Sequence, residues 1–176
     1  MLISRRTHFT GRVVRVDVDE VRLPNGHEAT LEVVHHPGGA AAVAIDSDRR
    51  VCLLRQYRHA IGQWIVELPA GKLDTDEGPE ATAQRELAEE AGVTARTWQS
   101  LGCSISSPGV FTEFVHLFLA TELGSASLQR EHGEVLEPFW MPLDEALQNV
   151  LDGHWSDAKT VVGLVRAAAL LRRGDL

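Results

Sequence analysis

The 176 residues carry a net charge of −8, with 44% hydrophobic and 24% charged residues. That length suits one domain with its own core, and the negative balance excludes non-specific nucleic-acid binding, which rests on neutralised phosphates. No run reaches the ~18–20 apolar residues of a membrane span, the N-terminus MLISRRTHFTG lacks a secretory apolar segment, and Cys52 and Cys103 form no CxxC pair. A soluble protein of the reducing cytoplasm is expected, with Cys52 a small core residue of the run VCLL.

Residues 10–22 alternate Val14, Val16 and Val18 with Arg15, Asp17 and Asp19, the pattern of a half-buried strand. Asn25-Gly26 marks a turn, and ATLEVVHH resumes the strand as the second arm of a hairpin. After Pro37-Gly38-Gly39, AAAVAID and RRVCLLRQYR predict two strands joined by a turn at 46–50, and WIVELPAG predicts another that ends at Pro69. Residues 79–91 predict a helix, with Pro79 in its first turn and Gly92 just past its end. TWQSLGCSIS and FVHLFLATEL read as strands around the loop SSPGVFTE, and the polar loop SASLQREHGEV leads to the strand PFWMP. Two helices follow. LDEALQNVLDG sets Leu143, Ala146, Leu147 and Val150 on one face, and SDAKTVVGLVRAAALLRRG is capped by Ser156 or Asp157 and ends before Gly174. Arg166 interrupts the apolar tract of that last helix, as in a core-packed helix rather than a membrane span. Strands first and helices later imply an α+β domain.

The segment 71–93, GKLDTDEGPEATAQRELAEEAGV, carries the chemistry. Glu86, Glu89 and Glu90 share one helix face at i, i+3 and i+4, where like charges repel. Leu87 and Ala91 point elsewhere and can pack on a sheet, so the acidic face must meet water, basic partners or metal. Hard divalent cations such as Mg²⁺ or Mn²⁺ favour carboxylate and carbonyl oxygens, and Ala70-Gly71 can bring a backbone carbonyl to the same cluster. A lone ExxEE is ordinarily a solvated helix face. Here, however, Gly71, Glu77, Arg85, Glu86, Leu87, Glu89, Glu90, Gly92 and Val93 stand at fixed gaps.

Those nine positions match the Nudix hydrolase signature. LLRQYRHAIGQWIVELPAGKLD, the loop carrying Pro108, and the hairpin RLPNGHEATLEVVHHPG resemble the ADP-ribose pyrophosphatase branch of that family. The resemblance implies a Nudix α/β/α sandwich around a mixed β-sheet. It also implies an N-terminal antiparallel β region, 1–40, that pairs two subunits into a homodimer, followed by a hydrolase domain, 41–176.

Roles follow from the same resemblance. Glu86 and Glu90 match the principal metal ligands, Glu89 a further ligand, and the Ala70 carbonyl a backbone ligand. Arg85 matches an arginine that orients these carboxylates, and Arg58 one that contacts the substrate diphosphate. Glu67 lies near the terminal ribose and metals, or is a buried partner for Arg58. Pro108 and Glu113 belong to the substrate loop. The general base is Glu134, chosen over Glu131 for its spacing to the next strand, with Glu113 a third candidate; His132 stands where some members carry an acid. Tyr57 and Trp64 either stack on the base or sit in the core. The implied reaction is Mg²⁺-dependent hydrolysis of a nucleotide sugar, with ADP-ribose leading and GDP-mannose the alternative. A sensing module that binds ADP-ribose without cleaving it is a third reading, disfavoured because every signature carboxylate is present.

Overall fold

The computed structural model describes residues 1–73, 76–128 and 135–174. Its chain forms two compact units, Met1–Gly38 with Ile105–Phe114, and Gly39–Ser104 with Val115–Leu176. The division assigns the segment 105–114 to the first unit, which a single sequence boundary near residue 40 does not do.

The first unit is built on a three-stranded antiparallel sheet, ordered β1 (Leu2–Thr10), β2 (Arg15–Arg22), β3 (Glu28–His35). β1 escapes sequence reading because every one of its residues is exposed, so it has no inside–outside alternation. The strand expected from residue 10 begins at Arg15, since Gly11 and Val14 close the β1–β2 turn through a 2.8 Å backbone hydrogen bond. The alternation in β2 is also inverted. Asp17 and Asp19 are the buried positions, while Val16 and Val18 are only half-buried. Partners explain the inversion. Arg5 grips Asp19 through two 2.7 Å hydrogen bonds, while the Thr7 hydroxyl and Arg15 Nε donate to Asp17 at 2.8 and 3.1 Å. The segment 105–114 joins β3, with Val34 N donating to the Val110 carbonyl at 2.7 Å and Thr112 N to that of Val34 at 3.0 Å.

The second unit carries two sheets. One is antiparallel, ordered β10 (Leu136–Pro142), β5 (Arg50–Arg58), β6 (Gln63–Glu67). The other is mixed, ordered β7 (Ala70–Lys72), β4 (Gly39–Ala44), β9 (Phe114–Ser125), β8 (Val93–Ile105), with β4 parallel to β9 and antiparallel to β7. β4 is buried along its whole length, which fits its run of small apolar residues. Ala42 and Ala44 face Leu87 of α1 (Pro79–Ala91). Ala41 and Val43 pack in a second cluster with Ala146 of α2 (Leu143–Leu151) and Leu164 and Ala167 of α3 (Ala158–Arg173). Helices therefore cover both faces of a mixed sheet, the α+β arrangement expected.

Two details of this unit depart from the expected elements. The strand expected to end at Pro69 stops at Glu67, and residues 70–72 cross to the other sheet as β7. Tyr57 and Trp64, for which a core position was one reading, are half-exposed and meet edge to face at 5.9 Å, with the Arg55 guanidinium 4.8 Å from the Trp64 ring.

The helix termini are as expected. Gly92 ends α1 in the left-handed conformation, φ 68°, and donates its N–H to the carbonyls of Leu87 and Ala88. Asp157, rather than Ser156, caps α3 by accepting from Thr160 N. Within α3, Gly163 allows close approach, since a Cβ there would lie 2.6 Å from Leu68 Cδ1 and 3.1 Å from Val43 Cγ2. Both neighbours are buried and cannot swing aside. Gly163→Val should therefore lower unfolding free energy by about 1–3 kcal/mol in chemical denaturation; an unchanged midpoint would refute this packing role.

Candidate active site

Residues 67–71, ELPAG, bridge the two sheets of the second unit, and each position meets something different. Leu68 N donates to Thr160 Oγ1 at 2.9 Å, the Pro69 carbonyl accepts from Ala42 N at 2.9 Å, and Ala70 N donates to Glu90 Oε2 at 2.8 Å. Gly71 meets the Glu86 carboxylate so closely that a Cβ would fall 1.7 Å from Oε1. Only glycine leaves that space, which gives the first residue of the signature a steric reason.

The carboxylates of α1 are held by Arg85. Its Nη1 donates to Glu86 Oε1 at 2.8 Å and Glu89 Oε2 at 3.0 Å, while its Nε reaches both oxygens of Glu77 at 3.1 and 3.2 Å. Glu77 also accepts from the Thr82 hydroxyl at 3.0 Å. Glu77 thus anchors the arginine that orders the acidic face, a role its place in the signature alone does not reveal. Burial works against the Arg85 charge, but Glu86, Glu89 and Glu77 outweigh it and hold its pKa above the ordinary value. Glu90 is buried and its carboxylate turns toward the Ala70 amide. Burial, with the Glu90 charge nearby, pushes the Cys52 thiol up to about 12, so this cysteine stays an inert core thiol.

Beside this cluster, Arg58 at the end of β5 holds Glu67 at the end of β6 through Nε, 2.9 Å, and Nη2, 2.5 Å. Glu67 is buried at this contact. Lys159 adds a second cation, its Nζ 3.0 Å from Glu67 and 3.1 Å from Asp157. Sequence reading missed Lys159, whose only signal was its place two residues past a helix cap. Burial pushes the Glu67 carboxyl up, but hydrogen bonding to Arg58 and the charges of Lys159 and Arg58 prevail and leave it below its ordinary value. The Arg58 guanidinium is raised by its hydrogen bonds to Glu67, against burial, with Glu90 and Asp157 adding to the field.

Pro108 is exposed in the first unit, where Glu113 Oε1 stands 3.2 Å from His36 Nδ1. Glu134 and Glu131 lie outside the described residues. Among the described residues no three carboxylate, imidazole or thiol groups converge on one point. The donor set of Glu86, Glu89 and Glu90 nevertheless suits a hard divalent cation in chemistry, and Gly71 leaves the Glu86 carboxylate room beside the backbone.

The Glu67 ion pairs give a pH signature. A carboxylate with a lowered folded pKa stabilises fully above its ordinary value of 4.5 and loses that contribution as pH falls through the folded value. Glu67→Gln should therefore be less stable than wild type at neutral pH, and the gap should narrow on acidification below about pH 4.5. Chemical denaturation across pH checks this; a gap that is constant or widens in acid would contradict it.

The NUDIX domain matches residues 35–163. The chain is 39% identical over 160 residues to the methanol dehydrogenase activator of Bacillus methanolicus, covering 89% of this chain and 85% of that protein. It is 38% identical over 164 residues to the ADP-ribose pyrophosphatase of Bacillus subtilis (strain 168), covering 92% and 89%. A crystal structure of an ADP compounds hydrolase shares the fold with a TM-score of 0.84, over 100% of this chain and 96% of that one, at 22% identity. The chain belongs to the NUDIX domain family.

Proposed function

We propose that the protein is a hydrolase that cleaves the diphosphate bond of a nucleotide sugar, with ADP-ribose as substrate and AMP and ribose 5-phosphate as products. The observation that carries this reading is the acidic face of α1, ordered by Arg85 and set against 67–71 in a chain whose relatives include an ADP-ribose pyrophosphatase. Acidic residues gathered in this way suit Mg²⁺, or Mn²⁺, more than any softer metal.

Glu86, Glu89 and Glu90, with the Ala70 carbonyl, are the residues that would hold the metal. The chemistry it supplies when bound is neutralisation of phosphoryl oxygens and acidification of water. Arg58 binds the diphosphate, for which its planar guanidinium is suited, and its side chain is 41% exposed. Arg85 and Glu77 keep Glu86 and Glu89 in place. Glu134 is the general base that takes a proton from the attacking water. Pro108 and Glu113 contribute to substrate binding from the loop 105–114. No helix among the described residues is long and apolar enough to cross a membrane. We place the enzyme in the cytoplasm as a homodimer paired through residues 1–40, without nucleic-acid partners.

A product assay with ADP-ribose, GDP-mannose and NADH in Mg²⁺ tests the reading. Wild type should release AMP from ADP-ribose with the highest kcat/KM of the three. Glu90→Gln should lower turnover by about 10²-fold or more with the fold retained. Preference for GDP-mannose would reassign the substrate. Tight ADP-ribose binding without turnover of any of the three would remove the enzyme reading in favour of a sensing module.

A further inference from the structure

Two cations share one buried carboxylate beside the signature helix. Glu67 is 2% exposed and is contacted by Arg58 from β5 and by Lys159 from the first turn of α3. A buried carboxylate stripped of its partner is strongly unfavourable, so an arginine that is its sole partner is poorly free to leave for anything else. With a second cation in place, the first becomes exchangeable.

Asp157, the other carboxylate that Lys159 contacts, does not consume it. Its Oδ2 accepts from the Thr160 amide and the Thr160 hydroxyl, and it sits at the N-terminus of α3, where the helix dipole favours an anion. Lys159 reaches Asp157 only through the other oxygen, at 3.1 Å, and Glu67 at 3.0 Å. The two cations also differ in access: the Lys159 side chain is 15% exposed and the Arg58 side chain 41%. Lys159 is the fixed partner and Arg58 the one within reach of a ligand.

We propose that Lys159 is a positioning residue for substrate binding: by retaining the charge balance of Glu67, it lets Arg58 exchange Glu67 for the oxygens of a diphosphate. This rests on the reading of Arg58 as the diphosphate contact. Lys159 acts through Glu67 and Arg58, and no bond is made or broken in the exchange. The requirement is for a positive charge at residue 159 only while residue 67 is negative.

Calorimetric titration with methylene diphosphonate in Mg²⁺ tests this without turnover, so it stands apart from whether ADP-ribose is hydrolysed. Lys159→Gln should weaken binding by about tenfold, since it leaves Arg58 committed to Glu67. Lys159→Arg should bind within about threefold of wild type, and adding Glu67→Gln to Lys159→Gln should recover most of the lost affinity, both as expected of a purely electrostatic role. Unchanged affinity in Lys159→Gln, failure of Lys159→Arg to retain it, or a double variant weaker than Lys159→Gln would each overturn the proposal. The wild-type protein gives a check that needs no variant: the Arg58 Nε resonance should shift on addition of the diphosphonate, and an unmoved resonance at saturation would overturn the exchange. Where ADP-ribose is turned over, Lys159→Gln should raise KM with kcat within about threefold of wild type, whereas a fall in kcat alone would count against a binding role.

Discussion

The break in the chain at Leu68-Pro69 is the constraint on which the candidate site depends. A continuous strand through WIVELPAG would have placed residues 70–72 in the β10-β5-β6 sheet. Because Pro69 has no N–H to give to a ladder, β6 ends at Glu67, and Ala70–Lys72 joins β4 in the mixed sheet instead. Five residues thereby tie Arg58, Lys159, α3 and the acidic helix together. Glu67 takes the two cations, Leu68 N the Thr160 hydroxyl, Ala70 N the Glu90 carboxylate, and Gly71 the close approach of Glu86. Glu67 acts through its side chain and the residues after it through their backbone, so a small shift of the segment would disturb several of these contacts at once.

Around that segment, charge is managed by sharing. Arg85 spreads one guanidinium over Glu77, Glu86 and Glu89, which counters the like-charge repulsion built into the i, i+3 and i+4 spacing of α1. Glu67 does the reverse, as one carboxylate shared by Arg58 and Lys159. The first arrangement keeps oxygens close together at the helix surface. The second keeps a cation on hand without leaving a buried charge alone. Both are polar networks in partly buried surroundings, where hydrogen bonds count for more than at a free surface and an unpaired group is costly.

Much of this was legible in the residues. The span of α1 followed from Pro79, the apolar spacing and Gly92, and the identity of the acidic face followed from three glutamates at helical spacing. What escaped reading had physical causes. β1 presents no buried side, so periodicity had nothing to report. In β2 the aspartates are inside because arginines from β1 and β2 itself reach them, a pairing that a local pattern of alternating valines cannot express. Lys159 lies 92 residues from Glu67 in sequence (159 − 67), and nothing in the local pattern around either residue marks the pair. Helical spacing groups Glu90 with Glu86 and Glu89, but its inward turn depends on an amide contributed by the 67–71 segment.

The central claim is that the 67–71 segment shapes the acidic site through backbone proximity, and Gly71 is where that proximity is closest. The most direct measurement is kcat for AMP release by Gly71→Ala, taken beside its thermal midpoint. The account predicts a fall of about 10²-fold or more, because a methyl group there displaces the Glu86 carboxylate, with the fold retained and the midpoint shifted by only a few degrees. Wild-type kcat in a folded Gly71→Ala protein would contradict it.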